Sequence, residues 1–217
     1  MAEDIIGTVV SFLNAKMSSN ITSVIQIVQS AMVRTRLSVA RPAPSLFFFP
    51  GLNSRPVYPP NTFQFEAALR ENIEVIRSEY LNLRKNTKLK SDYEDSTEHK
   101  LHHGDWEWNS YVQKGKRNAD FAVKCPKTVE LLESFENPAL MTSTPFSFAF
   151  FSTMGPQANI LSHFGPCNLR LRCHVPIIVP DGDCALQVGN EIIRWEEGKP
   201  IVFDDSYEHQ GLRHRLY

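Results

Sequence analysis

Hydrophobic positions change their spacing along this 217-residue chain, and the change separates a helical part from a β part. In the first 40 residues, and again after Thr62, apolar side chains recur every three or four positions, which predicts amphipathic helices. The helix after Thr62 is expected to start at a threonine cap and to run to about Arg84. A shorter helix capped by Thr128 is expected to end before Pro138.

After Pro145 the chain becomes a series of short apolar stretches separated by turn residues. Together with one earlier stretch, the expected strands cover residues 106–113, 146–152, 169–179, 184–188, 191–195 and 200–203. Short strands at this spacing are typical of a β-sandwich or jelly roll. The predicted fold class is therefore α+β, with a β-sandwich or jelly-roll core and helices packed N-terminally.

A proline-rich connection over residues 41–60 follows the first helical part. Proline fixes φ and removes a donor, so this connection is expected to be irregular. It contains the apolar run Phe47–Leu52, which is expected to lie against the core. The predicted organisation is a helical extension of unknown role over residues 1–42 and a single domain over residues 43–217.

The overall charge and the cysteines indicate which partners and which cellular compartment to expect. A net charge of −1 gives no basic footprint for nucleic acid. The four cysteines lack metal-binding spacing and are expected to be free thiols in a reducing compartment. The first residues include Glu3 and Asp4 and no basic run, so no secretory signal is expected. The longest uncharged run of the first 40 residues, at 17–33, spans 17 residues, fewer than the roughly 20 that a membrane span needs. We expect a cytoplasmic protein without a transmembrane segment.

The candidate chemistry lies between His163 and His209. Strand alternation places Arg170, Arg172 and His174 on one face. Such a face is usually solvated, but arginines at the mouth of a barrel would instead bind an anionic carboxylate. The residues alone leave both interpretations open.

The two outer histidines of this stretch lie beside turn residues, where a metal ligand can be directed inward. Two histidines and a carboxylate two residues after the first form the facial triad of non-haem iron oxygenases. That position is Gly165, so His163 and His209 form either an incomplete metal site or two hydrogen-bonded histidines without metal. Three further histidines lie in a polar loop without a rigid element to orient them, which disfavours a metal site there: His99, His102 and His103.

Several short motifs in the same order resemble the aspartyl/asparaginyl β-hydroxylase family, colinearly from Ser152 to His209. They are HFGP at 163–166, RLRCH at 170–174, NE at 190–191, WEEGK at 195–199 and FDDSYEH at 203–209, with FPGL at 49–52 and CPKT at 125–128 upstream. The resemblance implies a double-stranded β-helix and a 2-oxoglutarate-dependent dioxygenase that uses O₂ to hydroxylate a C–H bond. It implies Fe(II) held by His163 and His209 without a protein carboxylate, which makes Gly165 the family pattern.

The resemblance also implies how the cosubstrate is held. The carboxylates of 2-oxoglutarate would be bound by Arg172 and His174, with help from Ser152, and Arg170 would orient them. The family has a further arginine about ten residues after the distal histidine. In this chain Arg215 lies six residues after it, and Arg213 four, so the loop and the closing strand are expected to be short.

The implied substrate is an aspartyl or asparaginyl residue of a protein or peptide, with a small molecule or lipid as the alternative. The short closing strand leaves open a catalytically impaired jelly-roll binding module of the same family. A cupin-like zinc or iron enzyme with another reaction shares the architecture and is a third possibility.

Overall fold

A computed structural model describes residues 41–85, 91–93, 101–135, 140–156 and 158–214. The helices expected in the first 40 residues lie outside these ranges, so the N-terminal extension and its boundary stay predictions. Arg215 and His99 also lie outside them. No helix within the described ranges is long and apolar enough to cross a membrane.

The described helices are α1 (Phe65–Glu71), α2 (Ile73–Arg84), α3 (Ala119–Lys124) and α4 (Pro126–Glu133). The single helix predicted from Thr62 to Arg84 is wrong in one respect, because Asn72 leaves the helical conformation and separates α1 from α2.

The predicted threonine cap at Thr62 is also wrong. Its hydroxyl donates to the carbonyl oxygen of Pro59, 2.5 Å away. The backbone N–H groups of Asn61 and Phe63 instead donate to the buried carboxylate of Glu66. The Glu66 side chain, inside α1, therefore accepts the hydrogen bonds of backbone N–H groups that precede the helix.

Thr128 is not a helix cap either, because α4 begins at Pro126. The carboxylate of Glu79, on α2, accepts hydrogen bonds from the N–H of Lys127 and from the N–H and hydroxyl of Thr128. The first turn of α4 is thus capped from another helix. The preceding helix α3, which the hydrophobic pattern did not predict, is capped locally by the Asn118 side chain.

The strands form antiparallel pairs throughout the described part of the chain. They are β1 (His102–His103), β2 (Trp106–Gln113), β3 (Lys116–Arg117), β4 (Ala149–Met154), β5 (Asn159–His163), β6 (Arg172–His174), β7 (Asp183–Val188), β8 (Glu191–Arg194), β9 (Ile201–Phe203) and β10 (His209–His214). A five-stranded sheet has the order β1-β5-β10-β7-β8, and two smaller sheets have the orders β3-β2-β4 and β6-β9. Helices with antiparallel sheets agree with the predicted α+β class.

Most predicted strands are present with nearly the predicted bounds, β2 among them. The long strand expected over residues 169–179 is reduced to β6. β5 was missed because its apolar positions are few, and β10 because it begins at His209 and contains Gly211. These two missed strands pair with each other and carry the outer histidines.

Two hydrophobic clusters support the sheets. In the first, the helices pack against β2 and β4 around Val112 and Phe151. The second joins β7 to β9 around Leu186 and Phe203. All four cysteines are free, as predicted.

The apolar run Phe47–Leu52 packs as predicted over most of its length. The Phe47 ring lies 5.4 Å from that of Phe49 and 5.5 Å from that of Phe146, measured between ring centroids. Leu52, at the end of the run, is exposed instead.

Candidate active site

His163 and His209 lie side by side because two strands meet at them. β5 ends at His163, β10 begins at His209, and the antiparallel register pairs the two residues directly. Their ring centroids are 4.1 Å apart with an interplanar angle of 51°. The site residues expected to share a metal are therefore neighbours.

Both imidazoles are held by their own backbone. The Nδ1 of His163 lies 2.8 Å from the carbonyl oxygen of Leu161, and the Nδ1 of His209 lies 2.9 Å from that of Tyr207. A carbonyl only accepts, so each Nδ1 carries the hydrogen and each Nε2 keeps its lone pair. This is the tautomer that binds a metal through Nε2, with the outer nitrogen oriented by a hydrogen bond.

Burial keeps both rings neutral. Burial and, to a smaller extent, the neighbouring His163 lower the pKa of His209 to about 3. Burial likewise lowers the pKa of His163. Metal binding needs deprotonated imidazole, so at neutral pH the pair is in the ligating form.

Asp205 occupies the space that a side chain at position 165 would need. A Cβ added to Gly165 would lie 2.6 Å from Cγ and Oδ1 of Asp205. The Asp205 side chain is fully buried, and the carbonyl oxygen of Asp205 accepts the Gly165 N–H at 2.5 Å. Residue 165 can therefore carry no side chain while Asp205 stays in place.

Asp205 is the common partner of Arg170 and Arg172. Its Oδ2 lies 2.6 Å from Nη2 of Arg170 and 3.1 Å from Nη2 of Arg172. Burial alone would raise the pKa of Asp205, but the guanidinium groups of Arg172 and Arg170 outweigh it and hold that pKa below its ordinary value. Two positive groups thus face one ionised carboxylate, and one positive charge is left for an anion.

The two arginines differ in how much of each remains open. Arg170 also donates to the carbonyl oxygen of Phe146, and its side chain is 10% exposed. The Arg172 side chain is 25% exposed, and its described hydrogen bonds all go to Asp205. Arg172 is therefore the better placed of the two to bind an incoming anion.

The polar face of this segment points inward, which excludes the usual solvated-face interpretation. Leu169 and Leu171, expected on the apolar face, are 42% and 39% exposed. Only the later members of that face, Cys173 and Val175, pack against the helical core. The charge of Asp205 explains the reversal, because it compensates the inward arginines.

His174 continues the inward face and shares a support with His209. Its ring packs edge-on against Phe203, with centroids 4.9 Å apart, and His209 packs against the same ring at 5.5 Å. Burial, followed by the charge of Arg172, lowers the pKa of His174 to about 3. His174 is therefore a neutral hydrogen-bonding group beside Arg172.

Ser152, also expected to bind the cosubstrate, has a different hydrogen-bond partner. It lies on β4 and accepts a hydrogen bond from Trp106 Nε1 at 2.8 Å. Arg215 lies outside the described residues, and Arg213 is placed only as a β10 residue opposite Cys184.

The polar-loop histidines do not form a cluster in the described ranges. His102 is buried and His103 exposed, as neighbours on one strand must be when one face is covered. Nowhere in the described part of the chain do three or more His, Cys, Asp or Glu residues come together as a metal site. In the described residues, the His163–His209 pair thus has no third such side chain grouped with it.

Asp205 and Phe203 are site residues that sequence reasoning missed. Two arginines on an inward face need a counter-charge, and the acidic pair Asp204-Asp205 just before His209 was an available signal. Phe203 gave no signal beyond its place in a strand.

Comparison with known proteins agrees with this arrangement. The family model for aspartyl/asparaginyl beta-hydroxylase matches residues 70–215, a span that includes both outer histidines, both arginines and Asp205. The chain belongs to the aspartyl/asparaginyl β-hydroxylase family.

Curated relatives of this family member include proteins named for different substrates. It is 33% identical to human aspartyl/asparaginyl beta-hydroxylase over 76% of its length. It is 32% identical to the ornithine lipid ester-linked acyl 2-hydroxylase of Rhizobium tropici over 85%, and 32% identical to rat aspartate beta-hydroxylase domain-containing protein 2 over 78%. The matches span 22%, 65% and 49% of those proteins, respectively.

Proposed function

We propose that this hydroxylase-family chain is an Fe(II)- and 2-oxoglutarate-dependent dioxygenase that hydroxylates a C–H bond. The observation that carries the proposal is the neutral pair His163–His209, with both Nδ1 atoms bound to carbonyls, beside the incompletely neutralised Arg172. Imidazole suits Fe(II), and a guanidinium suits a carboxylate.

In this proposal Nε2 of His163 and of His209 hold the iron. When bound together with 2-oxoglutarate, the iron supplies the O₂ chemistry that oxidises both the cosubstrate and the substrate C–H bond. Asp205 stays out of the metal shell, because its carboxylate is engaged by Arg170 and Arg172. Its role is to fix the direction of the two guanidinium groups.

Arg172 and His174 bind the cosubstrate carboxylates. Arg172 supplies the unneutralised charge, and neutral His174 supplies a hydrogen bond without adding repulsion between cations. We assign supporting roles to Ser152 and Arg215. The hydrogen bond from Trp106 to Ser152 supports the first of these, because it leaves the hydroxyl hydrogen of Ser152 free to donate.

We also propose that the sheets form a double-stranded β-helix. Support comes from the order β5-β10-β7-β8, in which a late strand inserts between two earlier ones, as in Greek-key folds. Such a fold places β5, β6 and β10 around one opening, which suits a ligand site at its mouth.

The substrate that we propose is an aspartyl or asparaginyl residue of a protein or peptide. The family and the human relative are named for that reaction. A lipid acyl chain is the second candidate, favoured by the relative from Rhizobium tropici and by the coverage of 85% of this chain in that comparison.

Turnover of the cosubstrate tests the reaction. The purified chain should convert 2-oxoglutarate to succinate when Fe(II) and O₂ are supplied, and should stop when Fe(II) is chelated. The variant His103→Ala should form succinate as the unchanged protein does, because it removes an exposed histidine of the sheet that carries His163 and His209. Tight Fe(II) binding without any succinate would favour the impaired binding module. The absence of both Fe(II) binding and succinate formation would contradict the proposal.

A further inference from the structure

Residues 43–58, which we call the strap, cross the two loops that adjoin the outer histidines. The strap has no regular secondary structure beyond single β-bridges from Phe47 to Cys167 and from Val57 to Phe203. One loop, residues 164–168, directly follows His163 at the end of β5, and the other, residues 204–208, leads into His209 at the start of β10. The N–H of Gly165 joins the two loops directly through the carbonyl oxygen of Asp205, and contacts of both loops with the strap add a second restraint on their relative position.

The first half of the strap binds the loop after His163. The N–H of Ser45 donates to the carbonyl oxygen of Gly165 at 2.8 Å, and the N–H of Phe47 donates to that of Pro166 at 3.1 Å. The Phe47 side chain packs against Phe146. Polar and apolar contacts thus anchor this half.

Asn168 closes this contact from the other side. Its Oδ1 accepts the N–H of Phe49 at 2.7 Å, and its Nδ2 donates to the carbonyl oxygen of Phe49 at 2.8 Å. The side chain is buried. A two-point amide clamp of this kind holds one backbone unit in position and direction.

The second half of the strap binds the turn before His209. The Ser54 hydroxyl donates to Oδ2 of Asp204 at 2.5 Å, and the N–H of Asp204 donates to the carbonyl oxygen of Pro56 at 3.1 Å. The other carboxylate oxygen of Asp204 accepts the N–H and the hydroxyl of Ser206. Asp204 therefore ties the strap to the turn through both of its oxygens.

The start of the strap joins the same turn. The N–H of Ala43 donates to the carbonyl oxygen of Ser206 at 2.8 Å, two residues along the strap from the Ser45 contact with Gly165. The two histidine loops are thus bridged within three consecutive strap residues.

We propose that the strap sets the spacing of the two metal-binding imidazoles, with Ser54 and Asn168 as positioning residues. This inference rests on the proposed function, in which His163 and His209 hold the metal. With only two protein ligands, affinity depends strongly on how well the pair is preorganised. Residues that orient ligands typically change metal affinity by roughly 10- to 100-fold.

Titration with Co(II) alone, followed by its visible absorption spectrum, tests the strap. We expect Ser54→Ala and Asn168→Ala each to weaken Co(II) binding by about tenfold. Ser54→Thr keeps the hydroxyl and should retain the affinity of the unchanged protein. Thr128→Ala is the matched control, because it removes a hydrogen bond of a buried side chain to Glu79, away from both loops.

The possible results distinguish a failure of the strap proposal from a failure of the metal-site proposal. If the unchanged protein binds no Co(II), the metal site and with it the strap are contradicted. If the unchanged protein binds Co(II) and both alanine variants bind it equally well, only the strap is contradicted. If Asn168→Ala does not fold, Ser54→Ala alone decides, since Ser54 is only half-buried. A loss in Thr128→Ala equal to that in the strap variants would assign the effect to stability and contradict the strap.

Discussion

At the scale of single residues, Asp205 explains how arginines and neutral histidines share one buried site. Its carboxylate compensates one guanidinium charge and holds both arginines in direction, while the histidines stay neutral through burial. The remaining positive charge suits a dianionic cosubstrate that arrives from solvent. The side chain that would complete an iron triad at position 165 is excluded by the same carboxylate.

Gly165→Ala should therefore destabilise the protein through overpacking. The new Cβ would lie 2.6 Å from Asp205, and overpacking of a tight site costs about 1–3 kcal/mol of unfolding free energy. Gly211→Ala is the matched control, because its Cβ would meet Ile160 at an ordinary 3.4 Å. Urea unfolding checks this, and equal unfolding midpoints for the two variants would contradict the role of Gly165.

Arg172→Ala should weaken binding of 2-oxoglutarate while Fe(II) affinity changes little. A hydrogen-bonded charge pair contributes about 1.5–3 kcal/mol, which corresponds to roughly tenfold to hundredfold in the dissociation constant. Titration of the iron-loaded protein measures this. Arg84→Ala, which removes a surface ion pair with Glu107, should leave the constant unchanged. Equal affinity in Arg172→Ala and Arg84→Ala would exclude Arg172 as a carboxylate ligand.

The thiols of Cys125 and Cys173 should resist alkylation in the native protein. Burial raises the pKa of Cys125 to about 11 and that of Cys173 to about 12. A raised pKa leaves less thiolate at any pH below it, and thiolate is the reactive form. Mass spectrometry after iodoacetamide treatment at pH 8.5 should find label at these positions only once the chain is unfolded. Rapid labelling of the native protein at these positions would show that both thiols are accessible and would contradict this prediction.

At the scale of elements, helix α4 depends on a carboxylate from α2. Glu79→Ala would leave two backbone N–H groups and the Thr128 hydroxyl without their acceptor. Because bonds to a charged group are lost, we expect unfolding free energy to fall by about 1–3 kcal/mol. Glu74→Ala, which breaks an exposed pair with Arg77 on the same helix, should cost far less.

Chemical unfolding of both variants measures this difference. Fe(II) affinity should stay unchanged in Glu79→Ala, because the hydrogen bonds that Glu79 makes go to α4 and not to the histidine loops. Similar stabilities for the two variants would show that Glu79 does not cap α4.

Local sequence rules predicted most of the elements, but not, for example, α3, β5 or β10. β2 has the predicted bounds although its burial does not alternate, since the four consecutive residues from Asn109 to Val112 are all buried. The predicted caps at Thr62 and Thr128 failed because the helices begin elsewhere, at Phe65 and at Pro126. The carboxylates of Glu66 and Glu79 accept from backbone N–H groups at these helix starts instead. β6 begins later than predicted, at Arg172, after Arg170 has turned its guanidinium toward Asp205.

At the scale of the whole molecule, the site is assembled from segments far apart in sequence. β5 and β10 bring the histidines together, β6 adds Arg172 and His174, and the strap joins the loops. The residue types and motifs indicated the histidines, and strand alternation placed the arginines together. The inward direction of that face and the role of Asp205 depend on three-dimensional packing, which periodicity does not contain.

Fe(II) titration of the unchanged protein and of single histidine variants tests the central claim most directly. We predict one Fe(II) per chain in the unchanged protein and in His103→Ala, and none in His163→Ala or His209→Ala at the same concentration. The reason is that each outer histidine supplies half of the protein ligands. Unimpaired Fe(II) binding by either outer-histidine variant, with its fold intact, would contradict the site proposed here.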